Sequence, residues 1–529
     1  MTSPAVVVVG DVPLSEADVV AVARHGARVE LAPAARERIA RSRTVIDALS
    51  ADPVPHYGVS TGFGALATTS IPPARRADLQ RSLVRSHAAG SGAAVEREVV
   101  KSLMLLRLAT LATGHTGVRT TTADAYVAWC NSDYVPVVHE FGSLGCSGDL
   151  APLSHVALAV MGEGTVAAAD GSLHPATAAG VTPVVLGEKE GLALINGTDG
   201  MLGQLLLACA DVDLLLRTAD IAAAMSIEAM LGTDRVFAAD LAALRPHPGI
   251  AAATSNLRAL LADSPIVASH QGPDCTYVQD AYSMRCAPQV SGAARDVLGF
   301  VRTTADFELR AAVDNPVVVW DDTVGAGVDH AAGNAAAGAR VESNGNFHGA
   351  PVAYALDMLA IPVADVASIS ERRTDRLLDV SRSRGLPPFL AGDPGVDSGL
   401  MIAQYTQAAV VSELKRLANP ASVDSIPSSA MQEDHVSMGW SGARKLRHAV
   451  DGLARVLGVE VLAAARALDF RAPLQPGPAT GAVVTALRET VPGPGPDRPL
   501  SPEIEAAYDF VRSGAAVAAA DSALASPLR

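Results

Sequence analysis

The sequence predicts a mainly α protein: a central bundle of long helices with a smaller mixed N-terminal region. Three observations predict it. The 529-residue chain is rich in Ala, Leu and Val and only 4% aromatic, which favours helices packed closely through small side chains. Five stretches, 190–232, 281–313, 350–380, 400–418 and 441–468, are too continuously apolar for surface helices and belong in a bundle core. Only residues 1–110 mix strand, helix and loop signals, so we expect a mixed N-terminal region over 1–110, contributing a site loop, and a long-helix bundle over 111–529.

The elements follow in order. The run Ala5-Val6-Val7-Val8-Val9 reads as a strand. Residues 16–25 read as a helix with Gly26 as its stop. Residues 33–49 read as a second helix, with Pro33 tolerated in its first turn. Residues 53–63 form a loop, and 79–89 carry Leu79, Leu83 and Val84 at helical spacing. Residues 321–340, rich in Gly and Ala, show no regular pattern and read as a mobile excursion. Residues 471–502, with repeated Pro and Gly, read as a connector before a last helix starting near Glu503.

Charge and cysteine usage exclude some classes. A formal charge of −15 argues against nucleic acid as a partner. The cysteines, Cys130, Cys146, Cys209, Cys275 and Cys286, show no metal spacing, so no metal is expected. Their odd number and the lack of a signal peptide point to the cytoplasm. No uninterrupted apolar run reaches membrane-spanning length, so no membrane association is expected.

The most informative segment is Gly142-Ser143-Leu144-Gly145-Cys146-Ser147-Gly148-Asp149-Leu150-Ala151-Pro152-Leu153. With no Cβ on Gly148, its amide nitrogen can approach the carbonyl carbon of Cys146. Loss of water closes a five-membered ring, and loss of a second water from Ser147 leaves a methylidene group. The product is a 4-methylidene-imidazol-5-one, an electron-poor alkene. An Xaa-Ser-Gly tripeptide alone is more often a flexible turn; its surroundings decide. Other polar motifs are Tyr57-Gly58-Val59-Ser60-Thr61-Gly62-Phe63-Gly64, Ser86-His87, Asn196-Gly197-Thr198, Asp314-Asn315-Pro316, Asn344 to Gly349, and Gln432-Glu433-Asp434-His435-Val436-Ser437-Met438. Gln279, Tyr282 and Arg285, spaced i, i+3, i+6, would share one helix face, with Pro288 limiting that helix. An Arg there suits a bidentate grip on a carboxylate.

Together these motifs resemble the histidine/phenylalanine ammonia-lyase family, in matching order over nearly the whole chain. In that family Ala is the commonest first residue of the ring-forming tripeptide, where Cys146 stands here. The resemblance implies that Cys146, Ser147 and Gly148 form the electrophile autocatalytically, with no dissociable cofactor. It implies that Tyr57 is an acid/base, with Tyr282 also in the catalytic set. His87, Asn196, Gln279, Arg285, Phe347 and Gln432 would contact substrate, Arg285 through its carboxylate. The Gln432-Glu433-Asp434-His435 motif resembles the histidine-specific branch. A carboxylate there accepts an imidazole N–H, whereas a phenyl ring strands it. The implied reaction takes L-histidine to trans-urocanate and ammonia, the first step of histidine degradation. Tyr57 and Glu433 both remain candidates for the β-proton base. An aromatic amino-acid aminomutase or lyase using the same electrophile is the alternative. The family also implies a homotetramer with shared sites, in which Tyr57→Phe and Ser147→Ala subunits are expected to complement each other.

Overall fold

The computed structural model describes residues 5–62, 69–272, 278–320, 335–336 and 338–529. Long helices dominate: Asp199–Ala229, Ala287–Glu308, Ala350–Leu378, Met401–Leu417 and Gly439–Asp469. Each lies on one of the five apolar stretches. Two stretches are interrupted, and the interruptions carry side chains singled out in the sequence. The first breaks at Asn196, where Glu190–Ile195 ends with non-helical φ −101 and ψ 81. At Gly197 a Cβ would lie 2.4 Å from Asp199 Oδ2 and 2.5 Å from Arg107 Nη1. The second stretch holds only one turn, Tyr282–Arg285, before Ala287–Glu308 begins. Pro288 sits in that first turn, where its missing N–H leaves no bond unmade. The predicted continuous face of Gln279, Tyr282 and Arg285 is therefore corrected: Gln279 lies in the loop before the turn.

The chain forms two compact units. One comprises Met1–Leu207, Arg302–Leu356 and Ala421–Arg444; the other comprises Ala208–Val301, Asp357–Pro420 and Lys445–Arg529. In the first unit, Val6–Val9 pairs in parallel with Arg28–Leu31. Helix Glu16–His25 connects them. Ser15 and Asp18 form a reciprocal capping box at its start, and Gly26 at φ 68 ends it. Strands continue beyond residue 110: Val135–Pro136, Thr165–Ala167 and Leu173–Pro175 form one small sheet, and His139–Phe141 pairs with Ser91–Ala94.

Val317–Trp320 pairs antiparallel with Ala339–Glu342. Residues 339 and 340, expected to lack a pattern, are thus strand. Residues 321–334 lie outside the described residues. This ribbon buries Val318, Trp320, Ala339 and Val341 against Val45, Ile46, Leu49 and Val59. Val59 is fully buried, which anchors the Tyr57 loop to the core.

In the second unit, helix packing runs through small residues, as composition predicts. Ala449, Ala454, Ala463, Ala464, Ala465 and Ala467 are all buried on Gly439–Asp469. A buried carboxylate, Glu460, accepts from Ser226 Oγ at 2.7 Å, Ser370 Oγ at 2.6 Å and Arg373 Nε at 2.5 Å. Full satisfaction makes such a buried charge tolerable. The expected connector 471–502 contains a helix, Pro478–Leu487, with proline in its first turn and Val483 and Leu487 buried. The last segment holds Ser501–Arg512 and then Ala515–Ser522.

Among the described residues, only Ala350–Leu378 is long and apolar enough to cross a membrane by length and composition. Its Val352, Leu356, Leu359 and Val363 are buried, whereas Tyr354, Met358 and Ile361 form an exposed apolar stripe at i, i+4, i+7 spacing. Much of its apolar content is thus core.

Candidate active site

Three chain segments of the first unit build one cavity of about 950 Å³. The loop of Tyr57 supplies one wall. His56 N donates to Ser60 Oγ at 2.8 Å, and Gly62 N donates to Thr69 O at 2.9 Å. At Gly58, with φ +75, an added Cβ would lie 2.8 Å from Pro316 Cδ, so the loop lies flush on that proline. Helix Arg76–His87 supplies Leu79, Leu83 and, at its last residue, His87. His87 Nδ1 lies 2.9 Å from Leu83 O. Ser86 Oγ lies 3.0 Å from the same nitrogen, so Nδ1 is held from two sides.

The glycine-punctuated loop forms the floor. Its carbonyls and amides are fixed from several sides: Gly349 N donates to Gly145 O at 3.0 Å, Met438 N to Leu144 O at 2.9 Å, and Asp149 N to Gly197 O at 2.7 Å. Ser437 Oγ also donates to Gly145 O, at 2.8 Å. Gly148 has φ +74, and a Cβ there would stand 2.1 Å from Gly197 O and 2.4 Å from its carbonyl carbon. No L side chain fits that backbone-to-backbone approach.

Asn196 Nδ2 donates to Ser147 O at 2.9 Å, while its Oδ1 is buried and has no hydrogen-bond partner among the described residues. Asp149, fully buried, accepts from Ser143 Oγ at 2.9 Å and Met201 N at 2.8 Å. Burial nevertheless pushes its carboxyl up to about 7. Behind the floor, Arg107 Nη1 donates to Asn196 O at 3.1 Å, and Lys189 pairs with Asp314 in full burial.

Glu433 faces the tripeptide. Its Oε1 accepts from Ser147 Oγ at 3.0 Å, and its Oε2 accepts from Cys146 Sγ at 3.0 Å. Burial, and then the hydrogen bond and charge of Glu433, push the Cys146 thiol up to about 12. Gln432 and Phe347 line the same cavity.

Of the residues singled out in the sequence, Tyr57, His87, Cys146, Ser147, Asn196, Phe347, Gln432 and Glu433 therefore converge on one cavity, with Gly148 in its floor loop. Gln279, Tyr282 and Arg285 line a different cavity, of about 330 Å³, in the second unit. There the Arg285 guanidinium lies 4.7 Å from the Tyr282 ring, and Arg285 Nε is buried and has no hydrogen-bond partner among the described residues. Because Tyr57 and Ser147 line the same cavity of one chain, the expected complementation between them is corrected. Sequence reasoning missed Ser428, whose Oγ donates to Glu433 Oε2 at 3.0 Å, and the buried role of Asp149. A lone serine carries no sequence signal; Asp149 lay within the quoted motif.

A family profile described as aromatic amino acid lyase matches residues 14–489. The chain belongs to this family and is a carbon–nitrogen lyase. It is 61% identical over 528 residues to a histidine ammonia-lyase of Streptomyces coelicolor, with 99% of each chain covered. The crystal structure of histidine ammonia-lyase from Trypanosoma cruzi superimposes with TM-score 0.87 at 38% identity, covering 98% of this chain and 96% of that one. A tyrosine aminomutase from Streptomyces globisporus superimposes with TM-score 0.89 at 34% identity, covering 99% and 100%.

Proposed function

We propose that this chain converts L-histidine to trans-urocanate and ammonia in the cytoplasm, as the first step of histidine degradation. The observation that carries the substrate is Glu433, a carboxylate facing the tripeptide with Oε1 at 3.0 Å from Ser147 Oγ. A charge-assisted hydrogen bond from an imidazole N–H is worth about 1.5–3 kcal/mol, and a phenyl ring cannot supply it. The 61% identity to a protein named histidine ammonia-lyase supports the same reading.

The prosthetic group we propose is a 4-methylidene-imidazol-5-one made from Cys146, Ser147 and Gly148. The residues fit it. Ring closure needs a nitrogen without a neighbouring Cβ, and Gly148 is held where no Cβ can stand. When formed, the group supplies an electron-poor alkene that serves as the electron sink for departure of the amine. The chain's side chains do the rest. Asn196 Nδ2, which donates to Ser147 O, would hold that oxygen and stabilise negative charge on it. Glu433 orients the imidazole. Tyr57 takes the proton from Cβ as the Cα–N bond breaks and the Cα–Cβ double bond forms. Arg285 grips the substrate carboxylate.

Arg285 serves the cavity of another subunit in this proposal, within a homotetramer of shared sites. The exposed apolar stripe of Tyr354, Met358 and Ile361, together with exposed Ile402 and Tyr405, supports burial against neighbouring copies. Incubation of purified protein separately with histidine, phenylalanine and tyrosine tests the function. Urocanate and ammonia from histidine alone are expected. A β-amino acid product would make it an aminomutase, and no reaction with histidine would refute the reading.

A further inference from the structure

Glu433 receives three side-chain donors, and they divide unevenly between its oxygens. Ser147 Oγ binds Oε1 at 3.0 Å; Cys146 Sγ and Ser428 Oγ both bind Oε2, each at 3.0 Å. Ring formation removes only the first. Ser147 loses its hydroxyl as water, Cys146 contributes backbone alone, and Ser428 lies outside the tripeptide. We infer that Cys146 and Ser428 form a two-donor clamp on Oε2 that positions Glu433, leaving Oε1 to accept the imidazole N–H of the substrate. Both are positioning residues, and the inference rests on histidine being the substrate.

The local build supports a clamp. Ser428 and Glu433 are paired through their backbones: Ser428 N donates to Glu433 O at 2.9 Å, and Glu433 N to Ser428 O at 3.3 Å. The chain between them turns through Ser429, Ala430 and Met431 at φ 52, 52 and 69. Consecutive left-handed non-glycine residues are costly, so the pairing holds a conformation the chain would otherwise leave. Residue 428 is thereby fixed relative to residue 433. From the other side, the Cys146 side chain packs with Val436 and Met438, which limits where its sulfur can go. The raised Cys146 thiol stays protonated through the physiological range and so remains a donor. Two donors occupy the acceptor sites of Oε2, and tilting the carboxylate out of place breaks both bonds together.

The test uses full-length Cys146→Ala, Cys146→Ser, Ser428→Ala and the double Cys146→Ala/Ser428→Ala. Intact mass first establishes the loss of two waters, and initial rates with histidine follow. Each alanine variant is expected to lower kcat/KM about three- to tenfold, chiefly through KM, with the double variant lower than either. Cys146→Ser, which keeps a donor, should stay within about twofold of wild type, and thermal midpoints should not move. Wild-type kcat/KM in both single alanine variants overturns the clamp. So does a Cys146→Ser variant as weak as Cys146→Ala, because packing rather than donation would then matter. If Cys146→Ala fails to complete the ring, Ser428→Ala alone decides. A wild-type protein inactive on histidine refutes the substrate reading; an active one with unaffected variants refutes only the clamp.

Discussion

Replacing Gly148 by alanine separates the ring proposal from a loop of ordinary function. At φ +74 an alanine costs about 1–2 kcal/mol through contact of Cβ with its own backbone. Its Cβ would also stand 2.1 Å from Gly197 O, 2.4 Å from Gly197 C and 2.7 Å from Gly197 N. These are backbone atoms, held from behind by Arg107 on Asn196 O, so neither side yields by rotating a side chain. Overpacking of this kind costs about 1–3 kcal/mol. The sum is about 2–5 kcal/mol, placed at Gly148, whose nitrogen must reach the Cys146 carbonyl carbon for the proposed ring to close. Intact-mass measurement and thermal denaturation read the two consequences. Gly148→Ala should keep the full encoded mass, lose histidine turnover and melt below wild type. A Gly148→Ala protein that has lost two waters and melts with wild type would refute the reasoning.

Glu433→Gln keeps the shape and removes the charge; it should lower kcat/KM for histidine about 10- to 100-fold with little change in melting, and unchanged turnover would remove Glu433 from the mechanism. Asp149 binds its proton up to about pH 7 when folded, against an ordinary value of 3.8. Between those values the folded chain holds a proton that the unfolded chain has released, so this group makes stability fall as pH rises through that window, by at most about 1.4 kcal/mol per pH unit. Asp149→Asn should flatten that slope in denaturant titrations, and parallel slopes for variant and wild type would contradict it. Co-assembly of Ser147→Ala with Arg285→Ala subunits should restore part of the lost turnover, whereas Ser147→Ala with Tyr57→Phe should not; the reverse pattern would exclude a site shared in this way.

Periodicity and punctuation made much of the fold legible. The helix Glu16–His25 was readable to its ends because Gly26 is a local stop, and its cap uses neighbours three residues apart. The five apolar stretches were readable because burial of whole helices leaves a continuous signal. The break at Asn196 was not, since part of what surrounds Gly197 there is Arg107, ninety residues away along the chain. The strand at Ala339–Glu342 was missed because its partner and apolar cluster supply what its own sequence lacks. In the site, Glu433 and Ser147 were found through motif resemblance, yet their 3.0 Å contact spans 286 positions and no local pattern encodes it. Ser428 was invisible for the same reason.

The contact between Gly148 and Gly197 also bears on when this protein becomes chemically complete. The two backbones meet only because residues 148 and 197, far apart along the chain, have come together. An unfolded chain has the same tripeptide but lacks this contact, so on the proposed chemistry the ring would close only after folding. The proposed covalent group would then be a record that folding has happened, kept even after the molecule is denatured. A mass spectrum of a heat-inactivated sample would therefore distinguish molecules that once reached the native state from those that never did.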